Sequence, residues 1–365
     1  MNKTCFHDLN LESGARMTEM FGYALPWEYR AGGRAEHMVT REKAGLVDLG
    51  YMAQFHVSGP EALKFFQALL TTDIGGLENG QIRYSAMCDD EGRMIDDCTI
   101  WKYADNDYML VTGDEGDAEW IKKEAAGFKV EIHNDTFNIG ALQLQGPLAH
   151  EIMRRFTGLD PKSIRYYSFK DIALDGHRVV VAKMSFTGSG GFEFHVANQD
   201  ARWLWESLMK TGSGFGLLPV GQCALESLRQ EGGFLLVGND HDKTRNPLEA
   251  GIAQTVKFSK PEFKGRAALL KIARTGIQNR LVWLRVLSGA EPKPGDAITL
   301  EGLKVGGVTS GSYSPATNTG TALAYMRVAN AFPGLTYQVN IDGAEHSATL
   351  SLAPLYDPTG EIRRR

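Results

Sequence analysis

Apolar residues recur at helical spacing in five stretches of the chain. Ser58-Gly59-Pro60 precedes the run 61–70, where a cap residue, an early proline and apolar side chains three and four apart predict a helix. Gly146-Pro147 ahead of 148–156 repeats that design. The stretch 201–210 gathers Trp203, Leu204 and Leu208 on one face, and 225–230 and 265–273 read as two further helices. Between them, 107–112, 130–133 and 178–185 read as strands. Beyond Leu281 the helical period vanishes. Short runs at 281–286, 297–300, 305–309 and 336–341 alternate with Gly and Pro turns and predict a small β domain, with a boundary near Gly276. No clear repeat or low-complexity tract is present.

Composition narrows the class. A chain of 365 residues, 43% hydrophobic and 23% charged, can bury two or three cores and is not disordered. With 39 basic against 44 acidic side chains there is no basic surplus for nucleic acid. The three closing arginines, Arg363 to Arg365, read as a solvated tail. No run approaches the roughly 18 apolar residues of a membrane span, and the first ten residues hold no apolar export segment. The four cysteines, Cys5, Cys88, Cys98 and Cys223, are too sparse for a disulfide framework, so a reducing, cytoplasmic location is expected.

Several common chemistries leave no trace. GxxxxGK[ST], HExxH and GxSxG are all missing, which argues against P-loop, zinc-peptidase and serine-hydrolase activity. Gly188-Ser189-Gly190-Gly191 leads into Phe192-Glu193-Phe194-His195-Val196, which alternates as a strand and so does not open a dinucleotide-binding helix. Nine scattered histidines show no metal-ligand spacing, and no metal is expected.

One hairpin stands out. Arg83-Tyr84-Ser85-Ala86-Met87-Cys88 runs into the polar loop Asp89-Asp90-Glu91-Gly92, and Arg93 to Trp101 returns. If Cys88 pairs with Arg93, Tyr84 falls opposite Asp97 and Ser85 opposite Asp96. Successive side chains face opposite ways, so one aspartate shares a face with Tyr84 and the other does not. A carboxylate beside a tyrosine on a concave face suits hydrogen bonding or acid–base work. The same aspartates could instead face solvent or cap the loop.

In succession, this hairpin and other segments resemble the T-protein of the glycine cleavage system, an aminomethyltransferase. Gly14-Ala15-Arg16-Met17, Glu36-His37 with Arg41-Glu42, Ala44-Gly45-Leu46 and Asp48 look like that family's N-terminal stretch. Gly80 through Asp97 is similar to its GxxxYSxMxxxxGxxIDD hairpin. Leu144-Gln145-Gly146-Pro147, Thr187-Gly188 with Gly191-Phe192-Glu193, Leu228-Arg229 with Glu231, Gly238-Asn239-Asp240, Asn246 to Gly251 and Phe263 to Leu269 continue the likeness. There are departures. Phe186 and Val237 stand where tyrosines are common, Ser189 where an acid is common, and Gly113 where an asparagine is common; Tyr51 also differs.

The resemblance implies an α+β fold: a three-domain ring around a central folate cavity, with a C-terminal β-barrel-like domain. Residues 1–50 with 142–223 would form the first domain, 51–141 with 224–276 the second, and 277–365 the third. It implies a tetrahydrofolate-dependent transferase that moves a one-carbon unit from a donor to N5 of tetrahydrofolate. Asp97, with Asp96 as the fallback, would act beside the folate nitrogens. Tyr84, Val111, Glu193, Arg229 and Phe186 would line the folate site, Glu193 holding the pterin through both oxygens. The donor would be a lipoyl carrier protein or a small molecule, and the state a monomer or small homo-oligomer. Two alternatives remain at this point: an O-, N- or S-demethylase of the same fold, and a non-catalytic folate-binding protein. The KGCYxGQ motif expected of the latter class is absent.

Overall fold

The computed structural model describes residues 1–365. The five helices read from the sequence form at Ala62–Leu69, Ala149–Thr157, Ala201–Gly212, Gln222–Gly232 and Arg266–Thr275. Four more, His7–Glu12, Gly33–Glu42, Asp117–Glu124 and Glu361–Arg364, escape that reading; Gly33–Glu42 buries a polar face of Glu36, His37 and Thr40. No helix is long and apolar enough to cross a membrane.

The strands assemble into two large sheets and a barrel. A six-stranded sheet runs Ser168–Leu174, His177–Lys183, Gly191–Ala197, Ile139–Gln145, Gly45–Asp48 and Leu218–Val220. A five-stranded antiparallel sheet runs Ile82–Cys88, Met94–Ala104, Asp107–Thr112, Ala53–Ser58 and Glu131–Asn134. Six strands between Asn279 and Ser351 close into a barrel, in accord with the expected β domain. A small three-stranded sheet holds the N-terminal strands.

Strand alternation sorts the faces. In the six-stranded sheet Phe192, Phe194, Val179, Val181, Leu142 and Leu144 point to one side and pack under the helices Ala149–Thr157 and Ala201–Gly212. The alternate residues Glu193, His195, Ala182, Val180 and Gln143 point to the other. That face meets the five-stranded sheet, where Trp101, Met109 and Val111 pack against Val180 and Ala182. The two sheets thus meet along a seam.

The helix Gln222–Gly232 lies against Gly33–Glu42 and the barrel strand Leu303–Ser314. The Arg41–Glu231 ion pair of 2.7 Å, with both side chains buried, joins it to Gly33–Glu42. The closing arginines are not a free tail. Asp357 accepts the N–H groups of Ile362 and Arg363, and His150 bonds the Arg365 carbonyl at 2.8 Å.

Candidate active site

The hairpin register differs from the sequence reading. Tyr84 lies opposite Thr99, Ser85 opposite Cys98, Ala86 opposite Asp97 and Met87 opposite Asp96. Two local causes account for it. The loop takes one more residue, because Asp89 N–H bonds Arg93 O and Cys88 pairs with Met94. A bulge then follows, where the Met94 N–H is drawn to Arg245 O at 2.7 Å. The two slips sum to an even displacement, so no side chain changes face. Tyr84 and Asp97 therefore still share one face, as diagonal neighbours, and the Tyr84 hydroxyl donates to Asp97 Oδ2 at 2.7 Å. Thr99, Trp101, Met109 and Val111 lie on that same face.

Asp97 has a second partner that the sequence did not suggest. Nε2 of His241 lies 2.7 Å from Asp97 Oδ1, across 144 residues of sequence. The His241 side chain is fully buried, while Asp97 keeps 21% of its side chain exposed. Lone histidines without ligand spacing carried no signal. The only pointer was the neighbouring Gly238-Asn239-Asp240.

Asp96 is built for a different task. It is fully buried, and its Oδ1 and Oδ2 accept the N–H groups of Asp97 and Gly113 at 2.8 and 2.9 Å. Burial, then the charges of Asp97 and Asp117, push its carboxyl well above the usual aspartate range. Asp117, at the start of its helix, is pushed up to about 6 by burial. Tyr84 is likewise raised well above the ordinary tyrosine value, first by burial and then by Asp97. Asp96, Asp97 and His241 offer ligand atoms within 4.8 Å of one another, but the carboxylate oxygens already accept hydrogen bonds.

Across the seam, Glu193 is buried and central in its sheet. Gln143 Nε2 donates to Glu193 Oε1 at 2.9 Å, and His195 Nε2 lies 3.4 Å from Oε2. His195 reaches Gln54 through Nδ1 at 3.1 Å and sets its ring edge-on to Trp101, 4.9 Å between centroids. Gln143 Oε1 is buried without a partner, an orphan acceptor beside Glu193. Glycine is required at the mouth of this strand: Gly191 has φ 151°, and a Cβ there would fall 2.1 Å from Leu144 O.

Two other residues expected to line the folate site make their main contacts as follows. Arg229 is fully buried, and all five of its N–H groups are used internally. Nε and Nη2 donate to Glu226, Nη1 to Phe234 O and Asp240, and Nη2 to Ser310 of the barrel. Having no donor to spare, it braces the loop that carries His241 rather than lining a cavity. Phe186 packs on Phe234, 5.4 Å between ring centroids, against an apolar cluster with Tyr51 and Leu225. Val237 touches the position of Gly113. A Cβ on Gly113 would fall 2.8 Å from Val237 Cγ1 and 3.3 Å from Asp96 Oδ2.

Residues 6–260 match the family model of the GCVT N-terminal domain, and 279–357 that of the glycine cleavage T-protein C-terminal barrel domain. The chain is 35% identical to an aminomethyltransferase of Halothermothrix orenii, over 92% of this chain and 94% of that protein. It is 34% identical to one of Desulforamulus reducens, over 98% of each. The crystal structure of glycine cleavage system aminomethyltransferase T from Bartonella henselae superposes with a TM-score of 0.90 at 27% identity, covering 98% of both chains.

Proposed function

The chain belongs to the glycine cleavage T-protein family, which makes it a tetrahydrofolate-dependent one-carbon transferase, and from that premise we propose that Asp97 is its acting carboxylate and a small methylated or aminomethylated metabolite its donor. The observation that carries the first part is the Tyr84–Asp97–His241 constellation, on the face that meets Glu193 across the seam.

The residues fit a pterin. An orphan Gln143 oxygen beside a buried Glu193 carboxylate presents adjacent acceptors, which suits the adjacent N–H donors of a pterin edge. Val111 and Trp101 supply apolar walls nearby. Bound tetrahydrofolate would supply the nucleophile: N5 alone for a methyl group, with one bond to carbon formed, one broken and one proton passed to the leaving atom; N5 and N10 for an aminomethyl group, with two bonds formed, two broken and two protons passed to the leaving sulfur and ammonia.

The chain's contribution is placement and charge. Tyr84 donates to one oxygen of Asp97 and His241 Nε2 meets the other, which fixes the plane of the carboxylate. A partly exposed carboxylate so held can stabilise positive charge developing at the donor and accept the N5 proton. The neighbouring Asp96, with both oxygens committed to backbone N–H groups, shapes the strand instead.

The donor part rests on the surroundings. Gly113 and Val237 pack together beside Asp96, and Phe186 pairs with Phe234. Hydroxyl and amide groups that would hold a polar carrier-borne group are replaced by apolar surface. A lipoyl carrier protein is the second reading, favoured by the likeness to the Bartonella henselae structure along the whole chain.

Calorimetry with tetrahydrofolate tests the common ground of both readings. Binding in the micromolar range, about −8 kcal/mol, is expected. No heat and no thermal shift at millimolar folate would sink the assignment of this site.

A further inference from the structure

The active carboxylate is oriented from outside its own sheet. His241 sits on a loop that the helix Gln222–Gly232 and the barrel hold in place. Arg229 and Ser310 grip Asp240 from two sides at 2.6 and 2.7 Å, and Thr309 adds a bond of 2.6 Å. The Asp240 carbonyl accepts from Tyr325 at 2.9 Å, and Leu236 N–H closes back onto the Asp240 carboxylate. Within the loop, Gly238 N–H bonds His241 O at 2.8 Å. The ring that emerges is fully buried, with Nε2 on Asp97 and 3.7 Å from Asp96 Oδ1.

We infer that His241 is a positioning residue for Asp97: it donates from Nε2, fixes the orientation of the carboxylate, and so couples the barrel to the site. This rests on the reading of Asp97 as the acting group. The second ring nitrogen decides the direction of the bond. Nδ1 is buried and has no partner. A proton there would be a stranded donor, at a cost of about 1–3 kcal/mol, so the neutral ring carries its proton on Nε2. A histidine kept only for packing has no need to spend its one donor on a carboxylate 144 residues away in the sequence. The ionisable groups around the ring are Asp96 and Asp97 on Met94–Ala104, Asp117 at the start of Asp117–Glu124, and Asp242 on its own loop. Tyr84 and Tyr167 face it through Asp97. Every acid near it favours a donor at this place.

The test uses the full chain and three variants, with the fastest donor from a panel of aminomethyl-lipoyl carrier and methylated small molecules. H241L removes the donor, and H241Q keeps an amide N–H near Nε2. H241L should lower kcat/KM roughly 10- to 100-fold, the worth of a hydrogen bond to a charged group. The loss should fall in kcat, while folate affinity stays within a few fold. H241Q should recover part of the rate. If H241L does not fold, H241N, whose amide is too short to reach Asp97, takes its place. Independently of turnover, 15N-histidine spectra of the wild-type chain should show a ring protonated on Nε2 alone, with shifts that change in D97N. Equal losses in H241L and H241Q would reduce His241 to packing. A ring protonated on Nδ1 would overturn the proposal even if no donor were turned over. Absent folate binding in the wild-type chain would instead strike the function reading.

Discussion

Tyr84 bonds Asp97 at 2.7 Å from a diagonal position, although Thr99 and not Asp97 lies opposite it on the hairpin. The even displacement leaves the two aspartates on different faces. One is in the seam with Tyr84 and the other is fully committed to the backbone.

Asp97→Asn should therefore cut kcat by more than a hundredfold while folate affinity stays within about tenfold, or 1.4 kcal/mol. Asp96→Asn should act mainly on stability. An amide at 96 turns a donor toward the N–H of Asp97 or Gly113, at a cost of about 1–3 kcal/mol in urea unfolding. Turnover that collapses in Asp96→Asn and survives in Asp97→Asn would reverse the assignment.

Glu193→Ala removes the charged acceptor of the seam and leaves Gln143 and His195 without their shared partner. Folate affinity should fall by about 1.5–3 kcal/mol for each charge-assisted bond lost. Glu193→Gln should lose less, because it keeps one acceptor. Calorimetry on both variants and the wild-type chain checks the order. An affinity that does not change in either would remove Glu193 from the site.

Most of the architecture was legible in the sequence because its signals are local. Capped amphipathic helices such as Ala62–Leu69 and alternating strands such as Gly191–Ala197 repeat within a few residues. The face carrying Glu193 followed from Phe192 and Phe194 alone, whose alternation buries them on the opposite side. What stayed hidden was non-local. A bulge beside Ile95 depends on Arg245, far along the chain, taking the Met94 N–H. His241 carries no motif, and its partner lies 144 residues away. Arg229 sat in a recognisable segment, but only the fold reveals that Glu226, Asp240 and Ser310 consume its donors.

Arg229→Met should destabilise the chain by about 3–5 kcal/mol, because it strands the Asp240 carboxylate in a fully buried place. Arg229→Lys should not rescue it, since one ammonium cannot span Glu226, Asp240 and Ser310. Urea unfolding at neutral pH measures both. Unchanged stability with weakened folate binding would return Arg229 to the cavity wall.

The buried acid pair makes stability fall as pH rises. Asp117 keeps its proton in the folded chain up to about 6, held there chiefly by burial, whereas an unfolded aspartate gives it up near 3.9. The folded state therefore binds the extra proton between about pH 4 and pH 6, and its advantage is lost as pH climbs through that window. Asp96 is displaced in the same direction and adds to the slope. Asp117→Asn should gain on the order of 2–3 kcal/mol over the wild-type chain between pH 4 and pH 7. Urea midpoints across that range would show it. Parallel curves for the two proteins would mean that the pair titrates normally.

The donor can be decided by restoring what this chain has lost. Gly113 and Val237 fit each other so closely that a Cβ on Gly113 meets Val237 Cγ1 at 2.8 Å, so Gly113 is kept and Val237 is the one changed. Val237→Tyr brings back a hydroxyl beside Asp96, and Phe186→Tyr brings back another against Phe234. Sites that hydrogen-bond a substrate discriminate strongly, whereas apolar walls separate similar ligands by only about 10- to 200-fold. The wild-type chain should then turn over a methylated or aminomethylated small molecule, with negligible methylene-tetrahydrofolate from aminomethyl-lipoyl carrier. The double variant should shift that ratio toward the carrier by at least tenfold, mostly through kcat/KM. Both activities can be followed by the folate product formed. Wild-type turnover on the carrier near the usual enzyme median of about 10 per second would defeat the small-donor reading. It would leave the chain a glycine-cleavage aminomethyltransferase that manages without those hydroxyls.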